Sequence, residues 1–344
     1  MTPPRIRVLV VDDSAFARKV VREVLETQSG IEVVGTARDG LDALEKIAEL
    51  APDVVTLDLV MPNLDGVGVL RALEGAQRRP AIVIVSMANE ESELGVAALQ
   101  LGAFDVVTKP TALATDRLYE LGHELCAKVV AATRRSVAPL AGRAPSVPPK
   151  LGARALNTRL LVIGASTGGP QALTLLMRAL PEDFPVPIAI VLHMPEGYTE
   201  AFARRVDAES GLDVMEARDG LALRPRVAIV ARAGMHLTFQ PEGDGLVCKL
   251  DVQPMATAHR PSVDVMFTSG AAQAGRGALG VVLTGMGNDG LAGCRAIREA
   301  GGRVLTEAES SCVVYGMPRV VFEAGLSIAA APIETMASLI VQHL

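Results

Sequence analysis

Tryptophan is absent from the chain, aromatic residues make up only 3%, and four cysteines occur among 344 residues. The cysteines are too scattered for a metal-binding or redox CxxC pair; they are Cys126, Cys248, Cys294 and Cys312. They are also too few to cross-link a chain of this length, so we expect a protein of the reducing cytoplasm.

An excess of positive charge and long uncharged runs are lacking as well. The chain has 33 Lys plus Arg against 39 Asp plus Glu, and a formal charge of −6 argues against nucleic-acid binding through the net field. No uncharged stretch reaches the roughly 18 residues that a membrane helix needs. The opening text MTPPRIRVLVVDD has neither the apolar core nor the cleavage site of a signal peptide. We expect a soluble protein without nucleic-acid binding or membrane insertion.

The apolar content of 49% is enough for two cores in 344 residues, since domains commonly take roughly 100 to 200 residues. Short β-branched runs alternate with helical stretches, a pattern typical of parallel sheets. In the first third this pattern predicts a last helix near 113–131 and strands at 7–11, 31–37, 54–57, 81–85 and 104–107. Further along it predicts strands at 160–163, 188–192, 226–230, 279–284 and 303–306, with helices after Gly169, Thr199, Val263, Gly290 and Ile333.

A segment rich in proline and without any acidic residue separates these two parts. It reads TRRSVAPLAGRAPSVPPKLGARA over residues 133–155, and such segments extend as semi-rigid spacers. We therefore expect a doubly wound five-stranded domain at 1–125, a helix end and linker at 126–154, and a second doubly wound, mostly parallel α/β domain at 155–344.

Polar residues follow the strands of the first domain. In an open parallel sheet, ligands bind in the crevice at these carboxyl ends of the strands. The polar residues are Asp12, Asp13, Asp58, Ser86 and Lys109. Three converging carboxylates repel one another unless a hard cation such as Mg²⁺ binds among them. Asp58 would be an exposed carboxylate beside this metal, while Ser86 and Lys109 would supply a hydroxyl and a positive charge to a phosphoryl group.

These residues lie in the motifs VVDDSAFARKV, LDLVMPNLDG, VSMAN and DVVTKP. Over residues 5 to about 125 the sequence resembles the flavodoxin-like receiver domain of bacterial two-component response regulators. The resemblance implies that a histidine kinase phosphorylates Asp58, that Asp12 and Asp13 help to hold Mg²⁺, and that Lys109 precedes a cis Pro110. Met87, beside the switch residue Ser86, departs from the pattern and would alter the coupling of the switch to phosphorylation.

In the second domain, a predicted strand runs into Gly164-Ala165-Ser166-Thr167-Gly168. This matches G-x-S-x-G, in which small neighbours allow a sharp turn that exposes a nucleophilic serine at a helix N-terminus. A phosphate cradle or close packing of the backbone would also use such glycines, so these alternatives stay open. A P-loop does not fit, because no lysine follows the last glycine.

A serine nucleophile needs a base and an orienting carboxylate. Among five histidines, His193 ends an apolar strand at the same sheet edge as Ser166 and is the base candidate. The others are a terminal His343, His123 in the first domain, His236 in a predicted strand pair and His259 in a loop that no strand precedes. The carboxylate candidate is Asp289, in the strand-to-helix turn LTGMGNDG.

The same turn also supports the hypothesis that the domain binds a dinucleotide. Gly285, Gly287 and Gly290 form G-x-G-x-x-G, and Glu307 ends the next strand at about the distance of a ribose-binding acid. Asp289 argues against this reading, because it would face a pyrophosphate at the helix N-terminus.

The chain order Ser, His, Asp differs from the Ser, Asp, His order of α/β-hydrolases. The motifs IGASTGGP, LHMPEGYT, HRPSVDVMF, LTGMGNDG and SCVVYGMP instead resemble, over essentially the whole chain, the chemotaxis protein-glutamate methylesterase family, CheB. The resemblance implies hydrolysis of glutamate methyl esters on chemoreceptor helices, release of methanol, and deamidation of receptor glutamines. It assigns the oxyanion site to backbone N–H groups near Thr167 and Met286, requires no cofactor in the catalytic domain, and implies that the receiver restrains the catalytic site until Asp58 is phosphorylated.

The sequence leaves three alternatives open. Arg260 either steers an acidic receptor surface or forms an ordinary ion pair. Receiver domains often precede a DNA-binding domain. The second part of this chain, however, has no helix-turn-helix pattern and no basic stripe. A binding or scaffold output without catalysis is also compatible with the motifs.

Overall fold

The computed structural model describes residues 5–76, 78–87, 92–109, 115–133, 149 and 157–344, and for 115–121 the backbone only. The chain divides into two compact units, Met1–Arg135 and Ser136–Leu344. Most of the proline-rich segment and the expected cis Pro110 lie outside the described residues.

The first unit contains a five-stranded parallel sheet in the order β2-β1-β3-β4-β5. Its strands are β1 (Ile6–Val11), β2 (Ile31–Ala37), β3 (Val54–Leu57), β4 (Ala81–Ser86) and β5 (Asp105–Thr108). Valine and isoleucine dominate the central strands, and all four residues of β3 are buried, as expected for a sheet covered on both faces. The predicted strands and the flavodoxin-like order are confirmed.

Five helices connect or follow these strands: α1 (Ala15–Glu26), α2 (Gly40–Leu50), α3 (Gly66–Ala72), α4 (Ser92–Gln100) and α5 (Thr115–Thr133). The first three begin at side-chain caps, where Ser14, Asp39 and Asp65 each accept a backbone N–H of the first turn. The last helix confirms the prediction for 113–131 and ends two residues later.

The second unit is built on a seven-stranded sheet in the order β14-β13-β12-β6-β7-β9-β8, with every recorded pairing parallel. Its strands are β6 (Leu160–Ala165), β7 (Ile188–Leu192), β8 (Asp213–Glu216), β9 (Val227–Val230), β12 (Ala278–Val282), β13 (Arg303–Glu307) and β14 (Ala329–Ala331). The five predicted strands and the doubly wound, parallel architecture are confirmed. The two edge strands β8 and β14 were not predicted.

An antiparallel hairpin, β10 (His236–Glu242) and β11 (Gly245–Asp251), lies outside this sheet and confirms the predicted strand pair. Leu237, Phe239 and Cys248 of the hairpin join a buried cluster with Met266 and Phe267. This packing holds the hairpin against the helix that follows it in the chain.

The helices of the second unit are α6 (Gly169–Ala179), α7 (Tyr198–Glu209), α8 (Val263–Ala274), α9 (Leu291–Glu299), α10 (Met317–Glu323) and α11 (Ile333–Gln342). Five confirm the predicted helix positions, and α10 is additional. In the part of the chain that the structure describes, no helix has the length and hydropathy needed to cross a bilayer.

The strand order places the candidate chemistry of the second unit in one crevice. From β6 the chain continues to β7 on one side, whereas β12 pairs with β6 on the other side. This change of direction makes β6 the switch point of the sheet, and ligands of open parallel sheets bind beyond the carboxyl ends of strands at such points. The loops after β12, β6 and β7 carry Asp289, Ser166 and His193 respectively.

Candidate functional site

The receiver pocket, formed by Asp12, Asp13, Asp58, Ser86 and Lys109, lies at the carboxyl ends of the strands of the first unit. The three aspartates each place a carboxylate oxygen within 4.8 Å of the others. This all-oxygen donor set suits a hard divalent cation such as Mg²⁺. The structure therefore brings the predicted metal ligands together.

Lys109 reaches into this cluster and pairs with two of its carboxylates. Its Nζ lies 2.6 Å from Asp12 Oδ2 and 2.7 Å from Asp58 Oδ2. Burial opposes the lysine charge, but the bonds to the two aspartates outweigh it and raise the pKa of Lys109. The expectation of an exposed Asp58 is wrong: the residue is 3% exposed, because it directly follows a fully buried strand.

Ser86 is fully buried at the end of β4, and its carbonyl accepts the backbone N–H of Lys109 at 2.8 Å. The two residues are thus fixed to each other across adjacent strands. Met87, the next residue, is 39% exposed. The expected effect of Met87 on switching stays a prediction.

The serine site of the second unit is centred on Ser166, His193 and Asp289. Ser166 follows β6 and is the one residue of 160–177 that is not buried. Its register neighbour is His193, since Ala165 pairs with Leu192 and the His193 N–H donates to the Ala165 carbonyl at 3.1 Å. Neighbouring strands lie about 4.8 Å apart, so the two residues leave the sheet side by side.

The turn around Ser166 depends on two glycines. Gly168 has φ +79° at the start of α6, a conformation that favours glycine. A Cβ on Gly285 would lie 2.8 Å from Ser166 Cβ, so only glycine allows the β12 loop to approach the serine this closely. The sharp turn predicted from G-x-S-x-G is therefore a property of the structure.

Asp289 contacts the imidazole of His193 directly. Asp289 Oδ2 lies 2.8 Å from His193 Nε2, and both side chains are close to nine-tenths buried, at 11% and 8% exposed. The other ring nitrogen, His193 Nδ1, is buried and has no hydrogen-bond partner among the described residues. The structure thus brings together all three predicted residues, with Nδ1 left as the free ring nitrogen.

The carboxylate of Asp289 is held by the N-terminus of α8. Its Oδ1 accepts the Ser262 hydroxyl and the Asp264 N–H, each at 2.9 Å, and its Oδ2 accepts the Val263 N–H at 2.8 Å. Burial opposes ionisation, but the bond and charge of His193 and these backbone donors together hold the pKa of Asp289 well below its usual value. Asp289 is therefore a fixed negative charge at neutral pH.

Two histidines that were not chosen as candidates from the sequence support this arrangement. His259 stacks on the ring of His193, with centroids 4.1 Å apart and an angle of 23°. His236 is fully buried, and its Nδ1 accepts the Ser262 N–H at 3.2 Å. This bond holds Ser262, the N-cap residue of α8, in place. Burial lowers the pKa of His236, so it stays a neutral acceptor.

Two further candidates lie beside the serine. Thr167 is 3% exposed, and its carbonyl accepts the Thr284 hydroxyl at 3.0 Å. Met286 is half-buried in the loop after β12. Its backbone N–H has no hydrogen-bond partner among the described residues, so it is a donor available to a ligand.

The position of Glu307 does not support the hypothesis of dinucleotide binding. This residue is 0% exposed, and its oxygens accept the Thr284 N–H and the Ser311 hydroxyl. A ribose-binding carboxylate must face the ligand, and Glu307 lies inside the protein instead.

Comparisons with known proteins show the family of the chain. The family model described as CheB methylesterase matches residues 161–340, and that of the response regulator receiver domain matches residues 8–120. A protein-glutamate methylesterase/protein-glutamine glutaminase of Myxococcus xanthus is 61% identical and covers 98% of each chain. One of Geobacillus kaustophilus is 42% identical with the same coverage. The crystal structure of the Thermotoga maritima CheB methylesterase catalytic domain, at 35% identity and a TM-score of 0.53, covers 54% of this chain and 99% of its own. The chain therefore belongs to the CheB methylesterase family, with a response regulator receiver domain preceding the methylesterase domain.

Proposed function

We propose that this chain is a cytoplasmic serine hydrolase that removes methyl groups from glutamate esters of chemoreceptors and deamidates receptor glutamines. The observation that best supports this proposal is the buried contact of 2.8 Å between His193 Nε2 and Asp289 Oδ2. His193 is also in strand register with the half-buried Ser166. Relatives that align over 98% of the chain bear the names of both activities. The catalytic domain begins near residue 155, behind a receiver domain that ends near 125.

The reaction starts with attack of Ser166 Oγ on the ester carbonyl carbon. His193 Nδ1 takes the hydroxyl proton as the C–O bond forms, and Asp289 stabilises the resulting imidazolium at Nε2. The tetrahedral intermediate then expels the methoxy group, which leaves as methanol with the proton from Nδ1. Water attacks the acyl-serine with His193 again as base, and the glutamate and Ser166 are released. With a glutamine substrate, ammonia leaves in place of methanol.

His193 acts through the ring nitrogen opposite to the one used in the serine protease template. There the carboxylate binds Nδ1 and the base is Nε2, whereas Asp289 here binds Nε2. In the neutral imidazole only one ring nitrogen carries a proton, so the tautomer in which Nε2 donates to Asp289 leaves Nδ1 as the acceptor. This is the tautomer needed for proton removal from Ser166, and the contact with Asp289 favours it.

The negative charge on the attacked carbonyl oxygen is stabilised by backbone donors. We assign this role to the N–H groups of Met286 and Thr167, with the positive N-terminal end of α6, which begins at Gly169, adding to the stabilisation. Removal of one preorganised donor from a serine protease costs about 3 to 4 kcal/mol in kcat. Nucleophile, base and oxyanion donors are all protein groups, so the reaction needs no cofactor in the catalytic domain.

The receiver pocket regulates this activity. Asp58 accepts a phosphoryl group from a chemotaxis histidine kinase, and the receiver restrains the catalytic domain until then. Asp12, Asp13 and Asp58 would hold Mg²⁺, which would neutralise charge on the phosphoryl oxygens. Lys109 supplies a second positive charge to the same oxygens, and Ser86 is the hydroxyl that responds to the modification.

Arg260 contributes to recognition of an acidic receptor surface. It directly follows His259, which stacks on the base, and no carboxylate of the described residues pairs with its guanidinium. The Nη2 of Arg260 contacts Met255 Sδ at 3.2 Å, and its buried Nε has no hydrogen-bond partner among the described residues. A cation without a carboxylate partner beside the base suits a substrate that carries acidic residues around the ester.

The test uses the full chain and membranes with receptors in the methylated and in the glutamine form. We expect methanol from the first and ammonia from the second, in both cases with new receptor carboxylates. Binding of receptor without either product would refute the hydrolase and favour a scaffold. Methanol without ammonia would refute the deamidase activity alone.

A further inference from the structure

A fully buried carboxyl group lies behind the serine site and takes no part in the chemistry above. Glu307 is the last residue of β13, next to β12, and is 0% exposed. Burying a carboxyl group is costly unless its oxygens are well bonded. Its contacts therefore indicate what its presence achieves.

Both carboxyl oxygens of Glu307 are bound within the second unit. Oε2 accepts the Thr284 N–H at 2.8 Å, and Oε1 accepts the Ser311 hydroxyl at 2.7 Å. Ser311 Oγ in turn accepts the N–H of Ile333, the first residue of α11, at 2.9 Å. Glu307 thus ties Thr284, just beyond β12, to the start of α11.

Thr284 is the residue that holds the nucleophile turn. Its carbonyl accepts the Ser166 N–H at 3.0 Å, and its Oγ1 donates to the Thr167 carbonyl at 3.0 Å. The same Oγ1 accepts the Val314 N–H at 3.0 Å. One residue therefore fixes the main chain of the serine and of its neighbour, and Glu307 fixes that residue through its amide.

We propose that Glu307 is a positioning residue for the nucleophile, acting through Thr284 on the main chain of Ser166 and Thr167. It touches neither the substrate nor the reacting atoms. This inference rests on the proposed hydrolase function, in which Ser166 must meet the ester carbon and Thr167 the oxyanion.

The contact with Thr284 holds in both protonation states of the carboxyl group. Burial, together with the charge of nearby Glu334, raises the pKa of Glu307 to about 7, against bonds from Ser311, Thr284 and Cys312 that lower it. When Glu307 is ionised, Ser311 donates to it. When Glu307 is protonated, it donates to Ser311 Oγ, whose own proton then turns to the Ala308 carbonyl at 3.4 Å. Positioning therefore needs an acceptor of the right length and not a charge.

A glutamine has that acceptor and that length. In Glu307→Gln, the amide oxygen accepts the Thr284 N–H and the amide NH₂ donates to Ser311 Oγ. Glu307→Leu keeps the bulk but leaves the buried Thr284 N–H without an acceptor. Glu307→Asp keeps the charge but withdraws the carboxyl group from Thr284 by one methylene.

The experiment measures kcat and KM for methanol release by the full chain, and the rate at which a fluorophosphonate probe labels Ser166. We expect the glutamine variant to keep kcat within about threefold of the parent, since its contacts are preserved. We expect the leucine and aspartate variants to lose about 100-fold in kcat and in labelling rate with KM unchanged, as for a reacting group displaced by about 1 Å.

A folded leucine variant with unchanged kcat and labelling rate would overturn the inference, and so would a glutamine variant as impaired as leucine. If the leucine variant does not fold, the aspartate variant decides by the same criteria. If the parent chain labels with the probe but releases no methanol, the proposed substrate is wrong, and the labelling series still tests Glu307.

Discussion

Replacement of Asp289 by asparagine tests how the imidazole of His193 is held. The two carboxylate oxygens accept four hydrogen bonds, and each oxygen faces one backbone N–H of the α8 N-terminus, from Asp264 or from Val263. An asparagine offers only one acceptor oxygen. In either orientation of the amide, its NH₂ group therefore points at a backbone donor that cannot turn away.

Both orientations of the amide carry a cost. With the NH₂ toward Val263, His193 Nε2 must become an acceptor, the ring proton moves to Nδ1, and the base is lost. With the NH₂ toward Asp264, the tautomer survives but a buried N–H loses its partner, at about 1 to 3 kcal/mol. Loss of the orienting carboxylate in a serine triad lowers kcat about 10⁴-fold. We expect a loss of 10³- to 10⁴-fold, about 4 to 5.5 kcal/mol, and a stability loss of about 1 to 3 kcal/mol.

The assay is methanol release from methylated receptor, with urea unfolding as the measure of stability. Ser262→Ala is the matched control, because it removes one of the four bonds to Asp289 but leaves the charge and the contact with His193. We expect the control to lose less than about tenfold in kcat, the equivalent of one hydrogen bond. An asparagine variant that is as active as the control would refute the role of Asp289.

Three further predictions concern other parts of the protein. Gly285→Ala places a Cβ 2.8 Å from Ser166 Cβ, and we expect kcat to fall at least about tenfold with little change in KM; a parental kcat would contradict the close packing. The pKa of Glu307 rises from 4.5 to about 7 on folding, so the parent should lose about 3 kcal/mol of stability as the pH rises from 4.5 to 7, and Glu307→Gln should lack this slope in urea unfolding; equal slopes would contradict it. Asp58→Asn should abolish the increase in methanol release that a small-molecule phosphodonor produces, while the basal rate stays; a retained increase would place the phosphorylation elsewhere.

The sequence predicted the parts of the site that follow from strand ends. Ser166, His193 and Asp289 each follow a strongly apolar strand, and parallel strands deliver such residues to one edge of the sheet. The receiver pocket was predictable for the same reason. The sequence pattern could not predict the burial of Asp58, because that burial depends on how the strand before it is covered.

The supporting contacts of the serine site are tertiary and leave no local signal. His259 was set aside because no strand precedes it, yet packing of its loop stacks it on His193. Glu307 resembled a ribose-binding acid by its spacing alone, and only the structure reveals that it points inward to Thr284. Its burial together with its position at a strand end is the signal that separates the two roles.

The missed elements are short and have weak intrinsic preference. β14 is three alanines, which favour helix in isolation, and it forms a strand because it pairs with β13. β8 reads DVME and has one buried residue, so it shows little alternation. α10 has seven residues, too few for a helical period to emerge.

The most direct test of the central claim is methanol release by Ser166→Ala beside the parent chain, on the same methylated receptor and with a phosphodonor present. The serine is half-buried and makes no side-chain hydrogen bond to the described residues, so its removal leaves the His193–Asp289 pair and receptor binding in place. We predict that the alanine variant binds receptor as the parent does and releases methanol about 10⁶-fold more slowly than the parent. Methanol release at the parental rate would contradict the assignment of Ser166 as the nucleophile.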